Sequence, residues 1–170
     1  NVVLKIMLKK RVIPIVLLDG FSVLKTINFN IRRNLGSPVT VMRTYNTRNV
    51  DEMIILDIDA SVNNLEPNYK MIAKLAAECR MPLCYGGGIK SLKQAKRIIS
   101  LGVEKIAISS AVLEDDFSRA VKSHKQRFLV ALSRNCMSSK DWSNGILDML
   151  DSTIKSKHLR CLAVVADALT

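Results

Sequence analysis

Aromatic residues are scarce in this chain, at 5% of 170 positions with a single tryptophan. The apolar mass is Ile, Leu, Val, Ala and Met instead, a mixture that suits a parallel sheet buried under helices better than an all-β sandwich. Paired cysteine motifs are missing too. Cys79, Cys84, Cys136 and Cys161 form no C-x-x-C pair, and His124 and His158 fall in no metal-like spacing. A disulfide framework and a metal centre are therefore not expected, and no cofactor is implied. The thiols read as buried and free, in a reducing cytoplasm. The first ten residues are too short and too interrupted by lysine for a signal peptide or a membrane span.

Acidic residues are outnumbered, 15 against 26 Lys and Arg, for a formal charge of +11. That balance suits nucleic acid, a membrane surface or an anionic small molecule. No aromatic-and-basic alternation of the single-strand-binding kind occurs. The cations are spread over many segments, including Lys90, Lys93, Lys96 and Arg97 in one helical stretch. Solvated helix faces and a phosphorylated ligand are the preferred reading over nucleic acid or membrane.

What is present is a single domain with regular alternation. Residues 11–18 form an apolar β-type run ended by Asp19-Gly20, and a polar loop with Lys25 and Asn28 is expected after it. Residues 38–48 read as a helix that Ser37 can cap. Residues 52–57 are a buried strand, with Asp59, Ala60 and Ser61 in a loop beyond it. Residues 68–80 are an amphipathic helix and 82–85 a third strand, which runs into Gly86-Gly87-Gly88. Ser91 caps a helix to Leu101 and Gly102 ends it. Further strands are expected at 105–108, 127–133 and 159–166, with helices at 115–123 and 141–156. This β-α alternation fits either a doubly wound sheet or part of an eight-fold βα barrel, with sites at the carboxyl ends of the strands.

The glycine triplet is the sharpest local feature. Backbone N–H groups without side chains can cradle an anion, and a following helix would aim its positive dipole end at the same place. As a bare motif, a tight turn explains it equally well.

The order and spacing of Lys10-Arg-Val-Ile-Pro14, Asp19-Gly20, Asp51-Glu-Met-Ile-Ile-Leu-Asp57, Ala60-Ser61, Gly86-Gly-Gly-Ile89 and Gly102-Val-Glu-Lys-Ile106 resemble the cyclase subunit of imidazole glycerol phosphate synthase. The stretch 4–61 looks closest to the branch of that family associated with surface-polysaccharide amidotransferases. The resemblance implies a TIM-type (βα)8 barrel, here incomplete, with about six βα units in one partial domain over 1–170 and an extension at 1–10. It implies histidine biosynthesis in the cytoplasm. A glutaminase partner would release ammonia, and the cyclase would join it to a phosphorylated ribulosyl intermediate.

Carried over by position, the resemblance implies a phosphate site at Gly86, Gly87, Gly88, Ser109 and Ser110, with a helix N-cap before Ala111 the less favoured reading of the serines. It implies an ammonia gate of Arg11, Glu52 and Lys105, and a partner contact at Glu104. The family's two catalytic aspartates fall on Leu17 and Ser133. A leucine carries no proton and an ordinary serine is a poor base. The catalytic residues therefore stay unassigned, with Asp19 and Lys25 the nearest substitutes. An eight-fold barrel takes about 250 residues, so a fragment, a degenerate paralogue and a self-pairing half remain alternatives. A non-catalytic, ammonia-conducting subunit for a sugar amidotransferase is the alternative function.

Overall fold

The computed structural model describes residues 11–27, 31–108 and 128–130. Expectations about 1–10, 109–127 and 131–170, and thus about Ser109, Ser110 and Ser133, lie outside the described residues.

Seven strands form one sheet in the order β3-β2-β1-β4-β5-β6-β7. They are β1 (Ile15–Leu18), β2 (Val23–Ile27), β3 (Ile31–Gly36), β4 (Met53–Asp57), β5 (Leu83–Gly86), β6 (Lys105–Ile108) and β7 (Phe128–Val130). The helices are α1 (Pro38–Thr47), α2 (Ile58–Val62), α3 (Tyr69–Glu78) and α4 (Leu92–Ser100). Strands β1, β4, β5, β6 and β7 run parallel, as the alternation requires. This is the α/β arrangement expected, with five parallel strands described.

Two elements depart from expectation. The stretch after Gly20 is an antiparallel hairpin rather than a polar loop. Val23 and Leu24 pair with Leu18 and Leu17, and β3 pairs with β2 from Val23↔Gly36 to Ile27↔Ile31. Its outer strand buries none of its residues, so Ile-Arg-Arg-Asn-Leu-Gly shows no apolar period for a reader of sequence to find. The β-α alternation is therefore interrupted once. Residues 58–62 form the short helix α2 rather than a loop, started by the Asp57 carboxylate, which accepts the Ala60 N–H at 3.0 Å.

The helix ends follow local chemistry. α1 begins with Pro38, whose fixed φ suits the first turn, but the Ser37 side chain makes no capping bond, contrary to expectation. Asn68 caps α3 by accepting the Met71 N–H at 3.1 Å. Ser91 and Gln94 form a reciprocal capping box on α4. Gly102, at φ +102°, closes that helix in a left-handed conformation that favours glycine.

Strand periodicity divides the core. One face carries Val16, Leu18, Met53, Ile55, Leu83, Tyr85, Ile106 and Ile108, packed against Met42, Ile72, Leu75, Ala95 and Ile98 of the helices. Each large aliphatic side chain buried this way contributes about 1.5–3 kcal/mol. The opposite face carries a smaller cluster of Ile54, Cys84 and Ala107, with Ile13 and Leu56. Registry puts Leu17 beside Leu56, and Leu56 beside Gly86, on this second face.

Candidate functional site

The carboxyl ends of β1, β4 and β5 bring the glycine triplet, Asp19, Asp57, Asp59 and Leu17 into one region. The glycines are there because no side chain fits. A Cβ on Gly87 would stand 2.2 Å from the Asp57 carbonyl oxygen, at a φ of +115°. On Gly88 it would stand 2.8 Å from the Ala60 Cβ and the Leu65 carbonyl, and on Gly86 2.8 Å from the Ala107 Cβ. The triplet thus packs the βα loops of β4 and β5 against each other. Its backbone lies at the expected edge of the sheet.

The next helix is less open to an anion than its position suggests. Gln94 Oε1 accepts the N–H groups of Lys90 and Ser91 at 2.8 and 3.1 Å, and Ser91 Oγ accepts the Gln94 N–H at 3.3 Å. The capping box has taken these donors. Beside it, the Lys90 ammonium donates to both the backbone carbonyl and the side-chain oxygen of Asn64.

The carboxylates here are occupied. Asp19 Oδ1 accepts the N–H groups of Phe21 and Ser22, stabilising the turn into the hairpin. Asp59 pairs with Arg32 of β3 at 2.6 Å, tying the hairpin to α2. Asp57 is buried, and burial pushes its carboxyl above the usual range. Asp59 and Asp19 add to the rise, while N–H donors from Ala60 and Asp59 oppose it. Tyr85, also buried, has a hydroxyl with no hydrogen-bond partner among the described residues. Burial and then the charge of Asp57 push its phenol well up.

Leu17 is half-buried on the second face, level with Leu24 and Leu56. An apolar side chain thus stands where the resemblance puts a catalytic carboxylate. Lys25 is exposed on β2, opposite Arg33, and makes no ion pair among the described residues.

At the amino-terminal end of the same face, Lys105 Nζ donates to both Glu52 oxygens at 2.6 Å. The Glu52 side chain is 7% exposed and that of Lys105 21%. The pair spans β5: Lys105 is level with Cys84, which is level with Ile54, two residues beyond Glu52. Arg11 is exposed and joins no ion pair among the described residues, so the structure brings together two of the three expected gate residues. Glu104 is exposed, its N–H donating to the Leu83 carbonyl.

Asp57, Tyr85, and the contacts of Asn64 with Lys90 and Arg32 with Asp59 were not singled out from sequence. Asp57 closes the 51–57 stretch, and its place at a strand end before a helix is the signal the sequence offers. The other contacts join residues 26 and 27 positions apart with no local pattern. Among the described residues there is no group of His, Cys, Asp and Glu fit to hold a metal ion, and no helix long and apolar enough to cross a membrane.

Comparison with known proteins adds the lineage. A Leptospira borgpetersenii protein, provisionally named imidazole glycerol phosphate synthase subunit HisF, is 52% identical over 109 residues, 64% of this chain and 43% of that protein. A Pseudomonas aeruginosa protein provisionally named subunit hisF2 is 51% identical over the same shares. The imidazole glycerol phosphate synthase subunit HisF of Thermobifida fusca is 36% identical over 103 residues, 61% of this chain and 40% of that protein. The matched part is thus under half the length of each of these relatives. Residues 11–167 match the family described as histidine biosynthesis protein. With its parallel βα order and these relatives, the chain belongs to that family, whose fold is the TIM-type barrel.

Proposed function

We propose that this chain forms the first βα units of a cyclase subunit of imidazole glycerol phosphate synthase, taking ammonia from a glutaminase subunit and directing it to a phosphorylated ribulosyl intermediate in the cytoplasm. The observation that carries this reading is the Glu52–Lys105 pair. It sits at the amino-terminal end of a face whose further positions are Ile54, Cys84, Leu56 and Ala107. Neutral ammonia crosses an apolar lane more readily than ammonium, and an ion pair at the entrance can exclude cations while it stays closed. The glycine loop and the serines at 109 and 110 are proposed to hold one phosphate of the substrate. Glu104, exposed at the same end as the pair, is proposed to face the glutaminase.

Leu17 favours a second reading. With no carboxylate at that position, the chain would serve as a non-catalytic subunit that stimulates a glutaminase and conducts its ammonia, for instance toward a sugar amidotransferase. One experiment separates the two. Purified chain is assayed with the ribulosyl intermediate and ammonium salt, and separately with a glutaminase subunit and glutamine. Turnover above background in the first assay supports the cyclase. Silence there with a faster glutaminase in the second supports the accessory role. Silence in both sinks both readings.

A further inference from the structure

The carboxyl edge of the sheet needs positive charge if it is to hold a phosphate dianion, and the obvious source is already engaged. At the start of α4 the N–H groups of Lys90, Ser91 and Gln94 are bonded within the capping box. Backbone N–H groups supply only partial charge, so a full positive charge must come from a side chain. Two basic side chains of the hairpin are poor sources. Arg32 is neutralised by Asp59 at 2.6 Å, and Lys25 is exposed on β2 with no ion pair or hydrogen bond fixing its side chain among the described residues.

Lys90 differs from both. It stands two residues beyond Gly88, and its ammonium is fixed by two oxygens of Asn64, one backbone and one amide. Both acceptors are neutral, so the cation is oriented without being cancelled. Asn64 is itself set for this task. It follows α2 in a left-handed conformation, φ +58°, which asparagine tolerates better than most residues. The loops are locked together from below by the contact of Gly88 with Ala60 and Leu65. A free lysine loses considerable side-chain entropy on gripping a ligand, and one already tethered loses less.

We propose that Lys90 is the cationic anchor for a phosphate monoester bound at the glycine loop, and that Asn64 is the residue that positions it. The ligand class is a sugar phosphate. The inference rests on the reading of the glycine loop as a phosphate site and adds the residue that supplies its charge.

The test is binding of D-ribose 5-phosphate to the full chain by calorimetry, at two salt concentrations. Lys90→Met is expected to weaken binding about tenfold, as loss of one charge-assisted hydrogen bond does, and to flatten the salt dependence. Lys90→Arg is expected to restore most of both. Asn64→Gly tolerates the left-handed backbone and removes the side-chain amide while leaving the backbone carbonyl, so it is expected to weaken binding about threefold with the salt dependence intact. Thermal unfolding of each variant checks that the fold is unchanged. If wild type binds and Lys90→Met binds equally well, the anchor is overturned and the phosphate loop stands. If wild type does not bind, the loop reading falls and the anchor falls with it.

Discussion

Gly87 shows how a residue that stands out in the sequence can be required for a reason the sequence does not display. Three glycines after an apolar strand suggest a backbone cradle, and their place at the carboxyl end of β5 agrees. The structure adds that Gly87 has no room for a side chain, since a Cβ would meet the Asp57 carbonyl at 2.2 Å. Gly87→Ala should therefore destabilise by on the order of 3 kcal/mol or more, from overpacking together with a strained φ. Gly20 also has a positive φ, +84°, but a Cβ added there would meet nothing within 4 Å among the described residues. Gly20→Ala should cost only about 1–2 kcal/mol, the conformational part alone. Equal losses in urea unfolding would show that packing at Gly87 is not what demands glycine. Asp57 gives a second residue-level prediction. Because burial raises its carboxyl, the folded state favours its protonated form. Its stabilising contribution is full in acid, below the ordinary carboxylate range, and is lost as pH rises through the raised value. Asp57→Asn retains an acceptor for the Ala60 N–H without burying a charge. It should be more stable than wild type at pH 7, with the advantage shrinking toward pH 4. A stability difference independent of pH would refute this.

At the scale of elements, legibility tracked burial. The strands β4, β5 and β6 were readable as continuous apolar runs buried on both faces, and the helices α3 and α4 because one side of each is apolar at helical period. The hairpin was not, since among its described residues only Val23 and Leu24 are buried and β3 is exposed throughout. Its strands are defined by backbone pairing and by the Arg32–Asp59 contact, which leave no trace in a hydrophobic pattern. Capping signals were legible in kind but not in every case. Ser91 works as a cap and Ser37 does not, although each precedes a helix. Ser91→Ala should lower stability by about 1 kcal/mol, and Gln94→Ala combined with it should add less than its separate effect, because the two form one reciprocal unit. Ser37→Ala should be near neutral. Denaturant midpoints of the four variants check both statements, and a costly Ser37→Ala would mean that its hydroxyl has a role at the start of α1 that the hydrogen bonds do not reveal.

At the scale of the whole molecule, the two faces of the sheet do different work. The helix-covered face is apolar along its strands up to the buried Asp57 at its carboxyl end, and the parallel order that produces it was legible from the alternation of βα units. The other face is apolar at its centre and ends in a buried ion pair, and nothing in composition or period marks Glu52 and Lys105 as partners 53 positions apart. Only resemblance pointed to them, and it also named Arg11, which lies outside the pair. A buried ion pair is a poor means of stabilising a fold, since desolvation of both charges offsets their attraction. Whether the pair serves passage along this face or holds the face together can be measured. Lys105→Met should cost about 3–5 kcal/mol, because it leaves Glu52 buried without a counter-ion. The double variant Glu52→Leu with Lys105→Met should recover most of that loss or exceed wild type. If the pair gates ammonia, the double variant should nonetheless fail to couple glutamine hydrolysis to delivery while remaining folded. A double variant as unstable as Lys105→Met alone would return the pair to a structural role, and full coupling in a stable double variant would remove the gate.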